Sequence, residues 1–499
     1  MNGRTPRRGG SVPLLDLQLF LICLLLALGL MLLTSYVVIT SFPKASISGT
    51  TTTIRSVETN GSDKTPSEGV YSIHQVKETT SKRLGTHQTS ITEDRNKKTA
   101  AIADAAVVGV TNKQQPRATI AYAISLTGCG SEPLADGGAV LKQSIHSSSI
   151  HNPSSGSMYS YQLYAIVHPS ATECSQQLSD IGYTILVKDT PVAVSDIRGD
   201  FLREHVPQNG CCGEKEFIKL HAYTLTNHPI VVHLDLDTMI LQPMDELFDA
   251  MLYDETTDVG WKAREGLPSF KTPIMPKQID AFFTRDYNMH QAHQVEALVQ
   301  GGFLVLRPSV DTYKELREVI AQGDFRPNGG WGGKGYKGCG AMTFQGLIPY
   351  YYDQLHPGTA VELNRCIYNQ MSDNPRDQRT VNDVVQGKCR DGREDCEDCR
   401  SADFLTIKTV HFTLCRKPWL CLPHDIDELK HRLCRKLHHE WFRLRKDLED
   451  KLLAANPGMT SVATGTFQKD HFYGLCKHSG GNGYIPMVLP VAGIKEIES

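Results

Sequence analysis

PIVVHLDLDTMILQPMDELFD (229–249) decides how this chain is read. Its first half is a strongly apolar run that predicts a buried strand over 229–237. It ends in Asp235-Leu236-Asp237, and a helix is predicted over 244–252. In extended backbone, residues i and i+2 project to the same side, so Asp235 and Asp237 can share one cation. Paired carboxylates suit a hard divalent ion such as Mn2+ or Mg2+, which can in turn hold a diphosphate. A bare Asp-x-Asp is common and more often marks a solvated turn. Here the apolar strand before it changes the reading. Two adjacent carboxylates at the end of a buried strand repel each other unless something compensates them.

Outward from this stretch, short apolar runs alternate with helical spacing. ATIAYAISL (118–126), YQLYAIVHP (161–169), YTILVKD (183–189) and GGFLVLRPS (301–309) are predicted strands. Helices are predicted around 138–149, 175–181, 214–226 and 309–322. Such interleaving argues for an α/β domain with a mostly parallel sheet and ligands at the carboxyl ends of its strands. A long apolar period over 425–455 (Ile426, Leu429, Leu433, Leu437, Trp441, Leu444, Leu448, Leu452) predicts a helix. It fits either packing onto this domain or a coiled-coil seam with a second copy, so a homodimer is left open.

The whole chain has 499 residues, with 52 Lys+Arg against 55 Asp+Glu and a formal net charge of −3. So balanced a charge argues against a nucleic-acid partner. The amino terminus departs from the average. Residues 19–40, LFLICLLLALGLMLLTSYVVIT, are 22 residues without a charge, enough to cross a bilayer core of ~30 Å. Arg4, Arg7 and Arg8 precede them, which predicts a cytosolic tail over 1–18 and everything after 40 on the far side. A cleaved signal peptide is the alternative, but its apolar core is usually shorter, ~7–15 residues. Between 41 and 100, 21 of 60 residues are Ser or Thr, and 41–115 reads as a disordered stem. It carries one glycosylation sequon, Asn60-Gly61-Ser62.

Of 14 cysteines, Cys389, Cys396, Cys399, Cys415, Cys421 and Cys434 crowd together. In an oxidising lumen this predicts a local disulfide framework. Cys396-Glu-Asp-Cys399 also has the spacing of half a zinc site, the competing reading.

At this point the chain resembles a family. PIVVHLDLDTMILQPMDELFD is similar to the strand–Asp-x-Asp–helix signature of glycosyltransferase family 8, the glycogenin and galactinol synthase group. FIKLHAYTLT (217–226), QGGFLVLRPS (300–309), TFQGLIPYYY (343–352) and VHFTLCRKPW (410–419) resemble further blocks of that family, in order. The resemblance spans about 118–422 and implies a GT-A fold over 116–422, followed by a helical extension and tail over 423–499. It implies Asp235, Asp237 and His411 as ligands of Mn2+ (or Mg2+). Lys219, Leu236, Gln300, Gly301 and Lys417 would contact a nucleotide-sugar donor, usually a UDP-sugar. Family members retain anomeric configuration, with Gln345 at the reacting centre. The implied partners are the donor, a glycan or glycoprotein acceptor and, with the anchor, a Golgi membrane in type II orientation.

Departures cluster on one side. Phe344 stands where the family has the Asp of Asp-Gln-Gly, Gln300-Gly301 replaces Asn-Ser or Asn-Ala, and Leu414 replaces a glycine. Phenylalanine cannot be a nucleophile, which leaves a front-face substitution or another carboxylate, with Asp286 the candidate. GGWGGKGYKGCG (329–340) reads as a mobile loop near the acceptor or, less readily, as an anion cradle.

Overall fold

The computed structural model describes residues 115–130, 132–210, 212–267, 275–290, 296–377, 389–390, 394–421, 432–456 and 483–489. The expected cytosolic tail, anchor and stem lie outside the described residues, as does 423–431 of the expected helical extension. Among the described residues no helix is long and apolar enough to cross a membrane.

Eleven strands are described: β1 (Ala118–Leu126), β2 (Tyr159–Val167), β3 (Thr184–Val187), β4 (Val231–Leu234), β5 (Thr238–Ile240), β6 (Ala281–Arg285), β7 (Val299–Leu306), β8 (Phe325–Arg326), β9 (Gly330–Trp331), β10 (Ala360–Glu362) and β11 (Thr409–His411). Seven of them form one sheet in the order β10-β6-β7-β4-β1-β2-β3. β1 runs parallel to β2 and β4, β2 parallel to β3, and β6 parallel to β10, whereas β7 is antiparallel to β4 and β6. The expected mostly parallel α/β sheet is present. Its central strands are dense in apolar residues because both faces are covered. All of β4 and β7 is buried. Alternate residues of β1 feed opposite layers, Ile120, Tyr122 and Ile124 into one core and Ala121 and Ala123 into the other.

The strand expected over 229–237 stops early. β4 ends at Leu234, and Asp235 to Asp237 form a turn closed by Thr238 N–H donating to the Asp235 carbonyl at 3.2 Å. The two carboxylates therefore come together through a turn, not through extended alternation. The stretch expected as a helix over 214–226 is a 3-10 run, Gly213–Thr224. Helices Leu134–Ser147 (α1), Asp245–Leu252 (α2) and Val310–Gln322 (α3) fall close to their sequence expectations. The Ser309 side chain caps α3 by accepting from Thr312 N–H.

The long carboxyl-terminal helix, Arg432–Ala455, packs on the same chain rather than presenting a free seam. Leu433, Leu437, Trp441, Leu444, Leu448 and Leu452 are buried in the core that also holds α1. Arg445, fully buried, pairs with Asp136 of α1 at 3.0 Å. The cysteine cluster forms disulfides: Cys366–Cys399, Cys389–Cys396 and Cys415–Cys434, with Cys129–Cys174 beside β1. Cys396 and Cys399 belong to different bridges, which removes the zinc reading of that pair.

The glycine-rich segment is not a free loop. β8 and β9 pair as a hairpin, and Trp331 and Tyr336 are fully buried. The Trp331 indole donates to the Ala341 carbonyl at 2.8 Å and the Tyr336 hydroxyl to Asp353 at 2.9 Å. Gly330, at φ 65°, lies so close to the Tyr336 carbonyl that an added Cβ would stand 2.0 Å from its oxygen. Glycine here permits tight backbone approach around aromatic anchors.

Candidate metal and donor site

The turn at Asp235–Asp237 leads straight into β5, and β5 pairs antiparallel with β11, placing Thr238 opposite His411. This two-stranded ribbon brings a histidine 174 positions beyond Asp237 (411 less 237) onto the two carboxylates. His411 Nε2 lies 3.3 Å from Asp237 Oδ1 and 3.8 Å from Asp235 Oδ2. One ligand atom from each of the three residues lies within 4.8 Å of the others, and they form the one such group of acidic, histidine or cysteine residues among the described residues.

These residues fit a divalent cation on three counts. Two carboxylates with one imidazole are the donor set of Mn2+ or a similar ion, with positions left for phosphate oxygens. Nε2 faces both carboxylates, whereas the buried Nδ1 has no hydrogen-bond partner. Finally, the backbone makes room for the ring. A Cβ added to Gly302 would stand 2.3 Å from His411 Cε1 and 2.9 Å from Asp235 Oδ2. Only glycine at this position of β7 leaves space for the cluster.

Cations already surround the carboxylates. Lys219, buried on the 3-10 run, donates to Asp235 Oδ1 at 2.9 Å and to the Gly301 carbonyl at 3.2 Å, and pairs with Glu216 at 3.1 Å. Burial disfavours its charge, but Asp235 and Glu216 outweigh that and raise its pKa. Lys417 Nζ is 3.5 Å from Asp237 Oδ2 and 3.0 Å from both oxygens of Glu132. Burial would push Asp237 up, yet His411 and Lys417 hold it below the usual carboxylate range. The same contact pulls His411 above its ordinary value, against its own burial.

The remaining sequence candidates divide between contact and support. Gly301 is at the centre: an added Cβ would lie 3.2 Å from Gln345 Cγ and 3.6 Å from Lys219 Nζ, which makes Gln345 a neighbour of the cation cluster. Gln300 is turned inward. Its Oε1 accepts from Gly302 N–H at 2.7 Å and from Asn369 Nδ2 at 3.4 Å, so its side chain fixes the glycine step. Leu236 packs toward α1, where an added Cβ on Gly137 would be 3.1 Å from its Cγ. Asp286 is not part of the three-residue cluster. It is buried just beyond β6, with its Oδ1 accepting from Met289 N–H at 3.0 Å.

Sequence reading missed three participants, Glu216, Gly302 and Glu132. Glu216 could have been found, because it stands three residues before Lys219 in a helical stretch. Gly302 follows the Gln300-Gly301 pair in an apolar block, and nothing in the pattern of that block shows that a side chain there would meet His411 and Asp235. Phe344 proves to be a core residue, fully buried with Lys219 Nζ 5.7 Å from its ring centre. Glu132 meets Lys417 across 285 positions and leaves no local pattern at all.

No protein-family model and no curated protein sequence matches the chain. Among solved structures, the apo form of mouse xyloside xylosyltransferase 1 is similar with a TM-score of 0.36 at 14% identity, covering 60% of this chain and 99% of that one. The galactosyltransferase LgtC, in complex with donor and acceptor sugar analogs, gives 0.34 at 12% identity, covering 66% and 95%. The glycosyltransferase GlyE of Streptococcus pneumoniae gives 0.33 at 9%, covering 67% and 64%. At these values the matches lend no weight to a reading of the site, which rests on its own geometry.

Proposed function

We propose that the chain is a metal-dependent glycosyltransferase of the GT-A type that moves a hexose from a UDP-sugar to a glycan or glycoprotein acceptor with retention of configuration. It would act as a type II Golgi membrane protein, anchored by 19–40. The observation that carries the reading is the convergence of Asp235, Asp237 and His411 at the carboxyl end of the central strand, with two lysines alongside.

Asp235, Asp237 and His411 would hold Mn2+, which neutralises the diphosphate leaving group when bound. Lys417, on the partly exposed side of Asp237, is positioned to meet a diphosphate oxygen. Lys219 is more deeply buried. It holds Asp235 and the Gly301 carbonyl, so its part is to fix the ligand turn and the Gln345 neighbourhood. Gln345 lays its Cγ against Gly301 and turns its amide oxygen toward Gly340, with Phe344 buried beside the same Gly301. With phenylalanine there and Asp286 outside the metal cluster, front-face substitution is the mechanism we favour over a protein nucleophile.

A second reading has one specific support. Phe344 replaces an acidic group, so the chain could bind nucleotide-sugar without turnover. Replacing Asp235 and Asp237 with Ala and following Mn2+-dependent UDP release tests the first reading. Unchanged release would remove the site, and nucleotide binding without turnover across donors and acceptors would favour the second.

A further inference from the structure

We propose that Glu132 sets the donor affinity of this site by competing with the donor diphosphate for Lys417, an inference that rests on the donor reading of Lys417 given above. Both carboxylate oxygens of Glu132 lie 3.0 Å from Lys417 Nζ, closer than the 3.5 Å to Asp237 Oδ2. Glu132 lies between β1 and α1 and is half exposed, whereas Asp237 is 13% exposed. An exposed carboxylate can turn into water with little loss, since surface ion pairs contribute only ~0–1 kcal/mol. Asp237 has no such freedom.

The charges around the cluster give the direction of the effect. Asp235, Asp237, Glu216 and Glu132 surround Lys219 and Lys417, leaving an excess of two negative charges when His411 is neutral. A divalent cation balances that excess, and a dianionic diphosphate restores it. Lys417 then faces two competing anions. Release of Glu132 to solvent leaves the lysine to the phosphate and lowers the local negative excess. Glu132 is therefore a positioning residue that acts through Lys417. It parks the ammonium group beside Asp237 before the donor arrives and weakens donor binding by the free energy of its own contact.

The test is binding of UDP in the presence of Mn2+ to the full chain in detergent, by calorimetry, for wild type, E132Q, K417A and the double variant. E132Q is expected to bind UDP about twofold to fivefold more tightly, with the gain shrinking at high salt. K417A is expected to weaken binding, and adding E132Q to it should change nothing further. Equal or weaker binding by E132Q, or the same gain without Lys417, overturns the proposal while leaving the donor reading intact. Absence of Mn2+-dependent UDP binding in wild type overturns both.

Discussion

Two halves of the site are built by different physics. Around Asp235, Asp237 and His411 the chain assembles charges from four distant segments and balances carboxylates against lysines. Around Phe344, Gln345 and the glycine-rich hairpin it assembles packed rings and close backbone contacts, with Trp331, Tyr336 and Phe344 fully buried. Of the departures from the resembled family, Phe344 falls on this second half, whereas Gln300-Gly301 adjoins Lys219 and Gly302 on the first. Charge placement is tightly constrained, because an uncompensated buried carboxylate is costly. A packed wall can exchange one shape for another provided the volume is filled. Under the proposed function, the charged half would serve the metal and diphosphate, and the packed half would border the sugar.

The sharpest way to break the contrast is on the ionic side. Asp237→Ala is expected to lower Mn2+-dependent transfer by at least about 10³-fold, since it removes a ligand and the partner of both His411 and Lys417. A loss below tenfold would move the chemistry elsewhere. On the packed side, Phe344→Asp, which installs the acidic residue of the resembled family, should destabilise the fold by about 3–5 kcal/mol, because the position is fully buried and already lies under Lys219. Phe344→Leu should cost less and keep UDP binding. Chemical denaturation checks both. A gain of activity in Phe344→Asp without loss of stability would show that this wall is a site residue and not core.

Gly302→Ala joins the halves. Its methyl group would press on the His411 ring, and a 10–100-fold weakening of Mn2+ affinity is expected with little change in fold, read by metal titration. The smallest effect is pH dependence. Burial pushes His233 down to about 3 and His438 down to about 4. Their folded values lie below the unfolded value near 6.5, so the stability they contribute is fully present above that pH. It falls as pH drops toward the folded values, by at most about 1.4 kcal/mol per pH unit for each histidine. Urea midpoints between pH 6.5 and 5 measure this slope, and His438→Gln should make it shallower by at most about 1.4 kcal/mol per pH unit.

Much of the fold could be read in the sequence because buried strands of a parallel sheet carry dense apolar runs. β1 coincides with ATIAYAISL, and α3 begins after its Ser309 cap. The approach of His411 to Asp235 and Asp237 was anticipated only through the resemblance that two short blocks carry to a family. What the trio's geometry depends on was not. The turn at Asp235–Asp237 depends on pairing with β11, and the Glu132–Lys417 contact depends on two loops meeting across the whole domain. Such long-range pairs leave no period in the chain. The hairpin of glycines misled for a related reason: glycine content signals backbone freedom, but Trp331 and Tyr336 within it decide that the segment is anchored.

The central claim is that Asp235, Asp237 and His411 hold one cation. Mn2+ titration of the full chain followed by electron paramagnetic resonance tests it most directly, with nitrogen modulation reporting an imidazole ligand. One tightly bound Mn2+ per chain, carrying nitrogen modulation that His411→Ala abolishes, is the predicted result. Mn2+ bound equally well, with the same nitrogen signal, in the His411→Ala variant would contradict it.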